Sequence, residues 1–326
     1  MELPRALRHA VDRALDGMAL SEIAAAAADL SRRYREELRD GKLHVATERA
    51  VLAYLAVRLP ATYAAVRASF AAVAAIRPDF APATILDAGA GPGTALWAAA
   101  DCWPDLKDAF LVEASQAFRS YGERLTAEAG AQRVVWRTAD IAAEDVDCAP
   151  RDLVTLAYVL NEIAADDRPR LLDRLWQLTA DMLVIVEPGT PAGWQRILAA
   201  RDHLLAAGAH LVAPCPHAHA CPLEPPDWCH FAKRVARSRI HRLAKGADVP
   251  WEDEKFIYLA VSRRPTACQI AHPIGRIIAP PRKGSGRVTL KLCRPDGTAA
   301  DQLFSRRDGA AFKEASRADW GDTLRE

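Results

Sequence analysis

The chain has 326 residues, 50% of them hydrophobic and 26% charged, with a formal net charge of +1 at pH 7. That balance buries a substantial core and excludes an intrinsically disordered chain. No apolar run approaches the ~20 residues that cross a bilayer, and the first residues, MELPRALRHAVDRALDG, mix acids with bases, unlike a signal or transit peptide. The expectation is a cytoplasmic protein with no membrane partner.

Residues 1–80 read as a helical N-terminal subdomain. SEIAAAAADLSRRYREELRDG offers Ser21 as an N-cap and Gly41 as a stop; a second helical stretch from about Thr47 to Ile76 is interrupted at Pro60 and closed by Pro78. From Thr84 the texture changes to short apolar runs: TILDA (84–88), AFLVE (109–113), RVVW (133–136), DLVTLA (152–157) and MLVIVE (182–187). Helical segments at about 94–101, 115–129, 166–180 and 191–207 fill most of the gaps. Strands alternating with helices make a doubly wound, Rossmann-like α/β domain over residues 81–264, whose ligands bind beyond the carboxyl ends of the strands.

A Cys-rich insertion at 214–247 interrupts this alternation and continues as a basic helical segment to about Lys245, before EKFIYLAVSRR supplies a further strand. Residues 265–326 read as a small basic β-rich appendage, with two strand-like runs about a Gly-rich turn in GRIIAPPRKGSGRVTLKLCRPDG.

The near-zero net charge conceals an asymmetry. Residues 229–295 hold fifteen Lys or Arg against four acids, about +11, which leaves the remainder near −10. A polyanion is the natural partner of such a segment, and Arg237, Arg239 and Arg242 are its candidate contacts. Trp228, Phe231, Trp251 and Tyr258 lie close enough in sequence to offer stacking surfaces, with core packing as the alternative.

TILDAGAGPGTALW sets Asp87, Gly89, Gly91 and Gly93 between a buried strand and a helix start. Glycines let the backbone turn tightly against a ligand, and the helix N-terminus offers free N–H groups. The third glycine comes one residue too soon for a dinucleotide fingerprint, and Asp87 would repel a pyrophosphate. S-adenosylmethionine has no phosphate and carries positive ammonium and sulfonium centres, so an acid beside the glycines suits it; Glu113, ending the next strand, is placed to accept from ribose hydroxyls.

These residues resemble the class I S-adenosylmethionine-dependent methyltransferases, whose Asp-x-Gly-x-Gly-x-Gly motif matches residues 87–93. The resemblance covers about 80–264 and implies that Glu113 holds the ribose and Asp140 lies near the adenine. Asn161, in AYVLNEI after the fourth strand, joins the candidate cofactor residues. Enzymes that methylate exocyclic amines often carry Asn/Asp-Pro-Pro-aromatic there, so Asn161-Glu162-Ile163 argues against that chemistry. No catalytic side chain is assigned, because methyl transfer from a sulfonium is driven mainly by alignment.

PCPHAHACPLEPPDWCHF (214–231) gathers three cysteines, three histidines and five prolines in eighteen residues. Clustered thiols in a reducing compartment suggest metal. Cys215, Cys221 and Cys229 need a fourth ligand; Cys293 is preferred to Cys268, and Cys102 and Cys148 are read as buried structural residues. The spacing matches neither a zinc ribbon nor a ferredoxin run, and His217, His219 and His230 allow a mixed zinc site, so zinc and an iron-sulfur cluster stay open on spacing alone.

PCPHAHACPL, DWCHF, LCRPDG, AYVLNEI and VEPGTPAGW resemble the family of methyltransferase-like small-ribosomal-subunit proteins, from roughly residue 40 to the end. That resemblance implies a 4Fe-4S cluster on Cys215, Cys221, Cys229 and Cys293, S-adenosylmethionine at the glycine loop, and small-subunit rRNA as partner in ribosome assembly or translation. An active rRNA methyltransferase, and a zinc-containing methyltransferase of a protein or small molecule, are the competing readings.

Overall fold

The structure, a computed structural model, describes residues 1–35, 45, 47–265 and 273–325. Four helices come first: α1 (Arg5–Leu15), α2 (Leu20–Arg35), α3 (Glu48–Val57) and α4 (Leu59–Ile76). Thr47 caps α3 through a bond from Ala50 N, and the break falls at Arg58, with Pro60 in the first turn of α4, where a missing N–H costs nothing. The interior sides of these helices join the same buried core as the sheet that follows. By length and composition α4 is apolar enough to cross a membrane, with 18 residues and a mean hydropathy of 1.4; 56% of it is buried, as in a core helix.

The α/β region runs β1 (Thr84–Ala88), α5 (Thr94–Cys102), β2 (Asp108–Glu113), α6 (Gln116–Thr126), β3 (Arg133–Thr138), β4 (Arg151–Ala157), α7 (Arg168–Gln177), β5 (Thr179–Pro188), α8 (Pro191–Ala206) and β6 (His210–Ala213). It closes with β7 (Phe231–Ala236), α9 (Arg239–Ala244) and β8 (Trp251–Ser262). The main sheet has the order β3-β2-β1-β4-β5-β8-β6, with β7 paired to β8. The first five strands are parallel, and β8 runs antiparallel to β5, β6 and β7. This is the mixed Rossmann-like sheet of class I methyltransferases. The strand order reverses between β1 and β4, the point at which open α/β sheets leave a crevice for ligands.

The basic helix expected to follow the cysteines is corrected in part. Residues 231–236 are strand, with Phe231 and Val235 turned inward and Arg234 paired with Asp253 across the ladder. Opposite charges on facing strands stabilise pairing, and only the short α9 is helical.

The C-terminal sheet is richer than the two runs visible in sequence. It comprises β9 (Pro273–Ile277), β10 (Arg282–Gly284), β11 (Arg287–Cys293), β12 (Ala299–Ser305) and β13 (Thr323–Arg325), in the order β10-β11-β9-β13 with β12 on β11. Helix α10 (Ala310–Arg317) packs on it over a second small core that includes Ile277, Leu290, Leu292, Phe304 and Ala315.

Candidate functional site

The glycine loop turns at the carboxyl end of β1. Gly89 and Ala90 N both donate to Val112 O at 2.9 Å, tying the loop to β2. Gly93 stands at the N-cap of α5 with φ +81°, and a Cβ there would lie 2.4 Å from Thr126 Cγ2, so only glycine fits. Gly91, at φ +55°, instead meets nothing within 4 Å on that side, which leaves an open approach to its backbone.

Four carboxyl groups gather at the ends of the neighbouring strands. Asp87 is 1% exposed; Oδ1 accepts from Thr155 Oγ1 at 2.7 Å, Oδ2 has no partner among the described residues, and burial raises its pKa to about 7. Glu113 organises the loop, with Oε2 accepting from Gly91 N and Oε1 from Ser115 N, each at 2.7 Å, and burial raises its carboxyl too. Each of those oxygens retains a lone pair for a further donor.

Sequence reading missed the other two as a group. Glu162 is raised to about 8 by burial and by the charges of Glu113 and Glu187. Glu187, fully buried at the end of β5, accepts from Arg196 Nε at 2.6 Å and Leu160 N at 3.1 Å, and burial brings it to about 7. Four carboxyls gathered at one end of the sheet, each raised by burial, favour a cationic guest.

The remaining sequence candidates divide. Asn161 is buried in the loop after β4. Asp140 is exposed in the turn after β3, where its Oδ1 accepts from Ala142 N at 2.9 Å and its own N donates to Glu144 Oε1 at 2.8 Å. Beside Asn161, Tyr158 holds φ +61°, uncommon for a side chain of that bulk; its hydroxyl donates to Glu254 Oε1 at 2.9 Å, and Arg58 donates to both oxygens of Glu254.

The Cys-rich segment has no regular structure between β6 and β7, and it folds back so that Cys215, Cys221, Cys229 and Cys293 all line one cavity. Three of the thiols come from the insertion, and the fourth ends β11. The cavity has a volume of about 30 Å³, two to three times what one water needs. Burial raises the Cys215 and Cys229 thiols and pushes Cys293 up to about 12; the neighbouring thiols add to the rise on each. All six described cysteines are free of disulfides, and Cys102 and Cys148 are half-buried rather than core residues. Cys268 lies outside the described residues.

Two arginines that sequence reading did not single out flank the thiols. Arg201, on α8, is 2% exposed; one Nη donates to the carbonyls of His217 and His219 at 3.1 and 2.6 Å, and its guanidinium also bonds Cys215. Arg276, on β9, is 7% exposed and donates to Pro214 O at 3.0 Å and Gly321 O at 2.7 Å, which pins the C-terminal sheet to the insertion. His217 Nε2 lies 3.3 Å from Cys293 Sγ. Nothing local in the sequence marks either arginine, since their burial depends on a loop that wraps from elsewhere.

Among the described residues no three His, Cys, Asp or Glu donors are set to hold a metal ion. A zinc tetrahedron with ~2.3 Å Zn–S bonds needs thiolates roughly 3.8 Å apart. The insertion therefore brings four thiols to one cavity without forming a ready-made single-ion site, and its expected character as metal-binding is not established by the fold.

The basic surface is corrected as well. Arg237 is largely enclosed, donating to Glu252 Oε2 at 3.0 Å and Val249 O at 3.3 Å. Arg239 is exposed and Arg242 half-buried. Trp251 is exposed under the Arg234 guanidinium, whereas Phe231 and Tyr258 are core residues. Trp228, half-buried, stacks on His230 at 5.1 Å and donates from Nε1 to Gly189 O.

The family model described as mitochondrial small ribosomal subunit Rsm22 matches residues 48–325. The chain belongs to the Rsm22 family. Among curated relatives, this Rsm22-family chain is 29% identical over 351 residues to the human protein named ribosome assembly protein METTL17, mitochondrial, covering 99% of the chain and 73% of that protein. It is 24% identical over 336 residues to the Schizosaccharomyces pombe Rsm22-cox11 tandem protein 2, mitochondrial, covering 87% of the chain and 44% of that protein.

Similar solved structures include an O-methyltransferase family protein from Burkholderia thailandensis, with 15% identity, a TM-score of 0.44, and coverage of 76% of this chain and 72% of that one. Another is the magnesium protoporphyrin IX methyltransferase of Synechocystis PCC 6803 with bound SAM, with 14% identity, a TM-score of 0.42, and coverage of 72% and 91%.

The cytoplasmic expectation is overturned by these matches, since the Rsm22 family and both curated relatives are named mitochondrial and point to mitochondria. Clustered cysteines do not separate the cytosol from the interior of a mitochondrion.

Proposed function

We propose that this protein is a ribosome-assembly factor built on a methyltransferase scaffold. It binds S-adenosylmethionine at the glycine loop, holds a 4Fe-4S cluster on Cys215, Cys221, Cys229 and Cys293, and attaches to small-subunit rRNA. The observation that carries this reading is the convergence of four thiols on one cavity in a chain of the Rsm22 family.

The residues present fit each group. Asp87 offers a buried carboxyl oxygen with no partner among the described residues, and Gly91 an open backbone face, to a ligand bearing an ammonium and a sulfonium. At the thiol cavity, four thiolates around a cluster core of charge 2+ leave a net charge of about −2, which the guanidiniums of Arg201 and Arg276 balance. Zinc on the same four thiolates would give the same charge. The cluster's contribution is structural: it fastens the C-terminal sheet to the insertion.

The carboxyl-lined crevice also suits a second reading, an active rRNA methyltransferase. Sedimentation of small ribosomal subunits with tagged protein, combined with mass spectrometry of rRNA nucleosides from cells with and without the gene, tests both. Co-sedimentation with unchanged methylation is the expected result. A methyl mark that vanishes with the gene and returns only with intact Asp87 and Glu113 establishes the enzyme, and failure to associate with the subunit rejects the assembly role.

A further inference from the structure

We infer that the groove between α4 and α10 is a track for single-stranded RNA; this rests on the rRNA-binding reading and gives that binding a place. The groove is open, with a volume of about 860 Å³. One wall is the outer face of α4, with Ala68, Ala71, Ala72 and Ala75; the floor includes Phe231 and Phe256; the other wall is α10 with the segment that follows it. Small apolar side chains make the first wall flat and free of competing polar groups.

The charge lies on the other side. Lys313 and Arg317 stand one turn apart on α10, Arg325 follows on β13, and Lys233 reaches in from β7. All four are exposed, and none has an ion-pair partner among the described residues. That sets them apart from Arg234 and Arg282, which are bonded to Asp253 and Asp301. Two acids share the wall, and each already serves the backbone: Glu314 accepts from Arg325 N at 3.0 Å and Asp322 from Asp319 N at 2.8 Å.

The row of cations continues beyond the groove. Arg306 and Arg307, just before α10, are exposed, and Arg306 N donates to Gly286 O at 3.1 Å, which sets them beside Lys283 and Arg287 on the β10–β11 turn. Along α10 itself, Lys313 and Arg317 are separated by a rise of roughly 6 Å at ~1.5 Å per helical residue.

Trp320, half-buried at the groove and packed edge-on to His230 at 4.8 Å, supplies an aromatic surface. Unpaired cations and an aromatic along one wall and a flat apolar wall opposite are the parts by which proteins hold a strand through its phosphates and base faces. A duplex, with both backbones outermost, would leave the alanine wall without a function.

The test uses full-length, anaerobically prepared protein and fluorescence anisotropy with a labelled single-stranded oligouridylate, the same length of RNA duplex, and small-subunit rRNA fragments. The wild type is expected to bind the single strand more tightly than the duplex. Lys313→Gln with Arg317→Gln is expected to weaken single-strand binding at least tenfold and to reduce the slope of log K against log salt by about 1.4, at ~0.7 per lost contact. Ala72→Trp, which fills the groove without changing charge, is expected to weaken binding as well, and Arg133→Gln, on β3 at the opposite edge of the main sheet, to leave it unchanged. Thermal unfolding and the visible absorption spectrum verify that each variant is folded and loaded.

If the wild type binds rRNA fragments while the groove variants keep its affinity and salt slope, the groove is not the track and the rRNA reading stands. If the wild type binds no RNA at all, the rRNA reading itself fails. An acidic peptide that occupies the groove, with RNA unable to displace it, would assign the surface to a protein partner and overturn the inference.

Discussion

Replacing Arg276 by glutamine probes the charge balance of the thiol cavity. Arg276 is 7% exposed, acts on the Cys215, Cys229 and Cys293 sulfurs, and donates to the carbonyls of Pro214 and Gly321. In the loaded protein the substitution takes one of two buried cations from beside a dianionic centre, and removing one partner of a buried pair costs about 3–5 kcal/mol. In the metal-free protein the buried thiols are neutral, and the loss is confined to the carbonyl hydrogen bonds, about 1–2 kcal/mol after the relief of an uncompensated buried charge. The difference, about 1–4 kcal/mol, corresponds to an extra fall of roughly 2–8 °C in unfolding temperature at ~2 °C per kcal/mol for a chain of this size. Thermal unfolding of wild type and R276Q, each anaerobically loaded and chelator-stripped, closes the cycle. Equal losses in the two states would refute the pairing of Arg276 with an anionic centre.

Three further outcomes follow from the geometry. Burial raises the Asp87 carboxyl to about 7, so the ligand-free protein holds a proton that the unfolded chain releases above about pH 4. The associated stability is complete below about pH 4 and is lost as pH rises through about 7. A cationic ligand reverses the preference, so S-adenosylmethionine affinity, read by calorimetry, rises up to tenfold per unit as pH approaches 7, and D87N lowers that slope by one proton; an unchanged slope in D87N contradicts the role given to Oδ2. Arg196→Met strands the Glu187 carboxylate and is expected to cost about 3–5 kcal/mol at pH 8, less at pH 6 where Glu187 takes up a proton, as followed by urea denaturation. A pH-independent cost would count against that pair. Arg237→Gln is expected to lower stability by about 1–3 kcal/mol through its buried bond to Glu252, with no change in the salt dependence of RNA binding; a smaller salt slope would return Arg237 to the RNA surface.

What the sequence made legible was local. TILDA and the glycines after it form a strand, a turn and a helix start with no distant partner needed to recognise them, and the observed β1 runs over the same residues, 84–88. The segment 231–236 misled because lysine and arginine are good helix formers, whereas its strand character depends on acids at 252–254, which meet it only across the ladder. The C-terminal sheet was half visible, since β10 and β13 have three residues each and take their identity from pairing. Arg201 and Arg276 were invisible for the same reason, because no pattern on α8 or β9 foretells burial by a loop whose own course follows the cysteines. Cys293 could be singled out by its setting between a strand and a turn, but its place beside the insertion appears only when β11 pairs with β9.

Iron, acid-labile sulfide and zinc analysis of anaerobically purified protein, with its absorption spectrum, tests the four-thiol centre most directly. The expected result is about four iron and four sulfide per chain, with a broad visible absorption that is lost when any one of Cys215, Cys221, Cys229 or Cys293 is replaced by serine. Colourless protein with stoichiometric zinc, or with no metal at all, would contradict it.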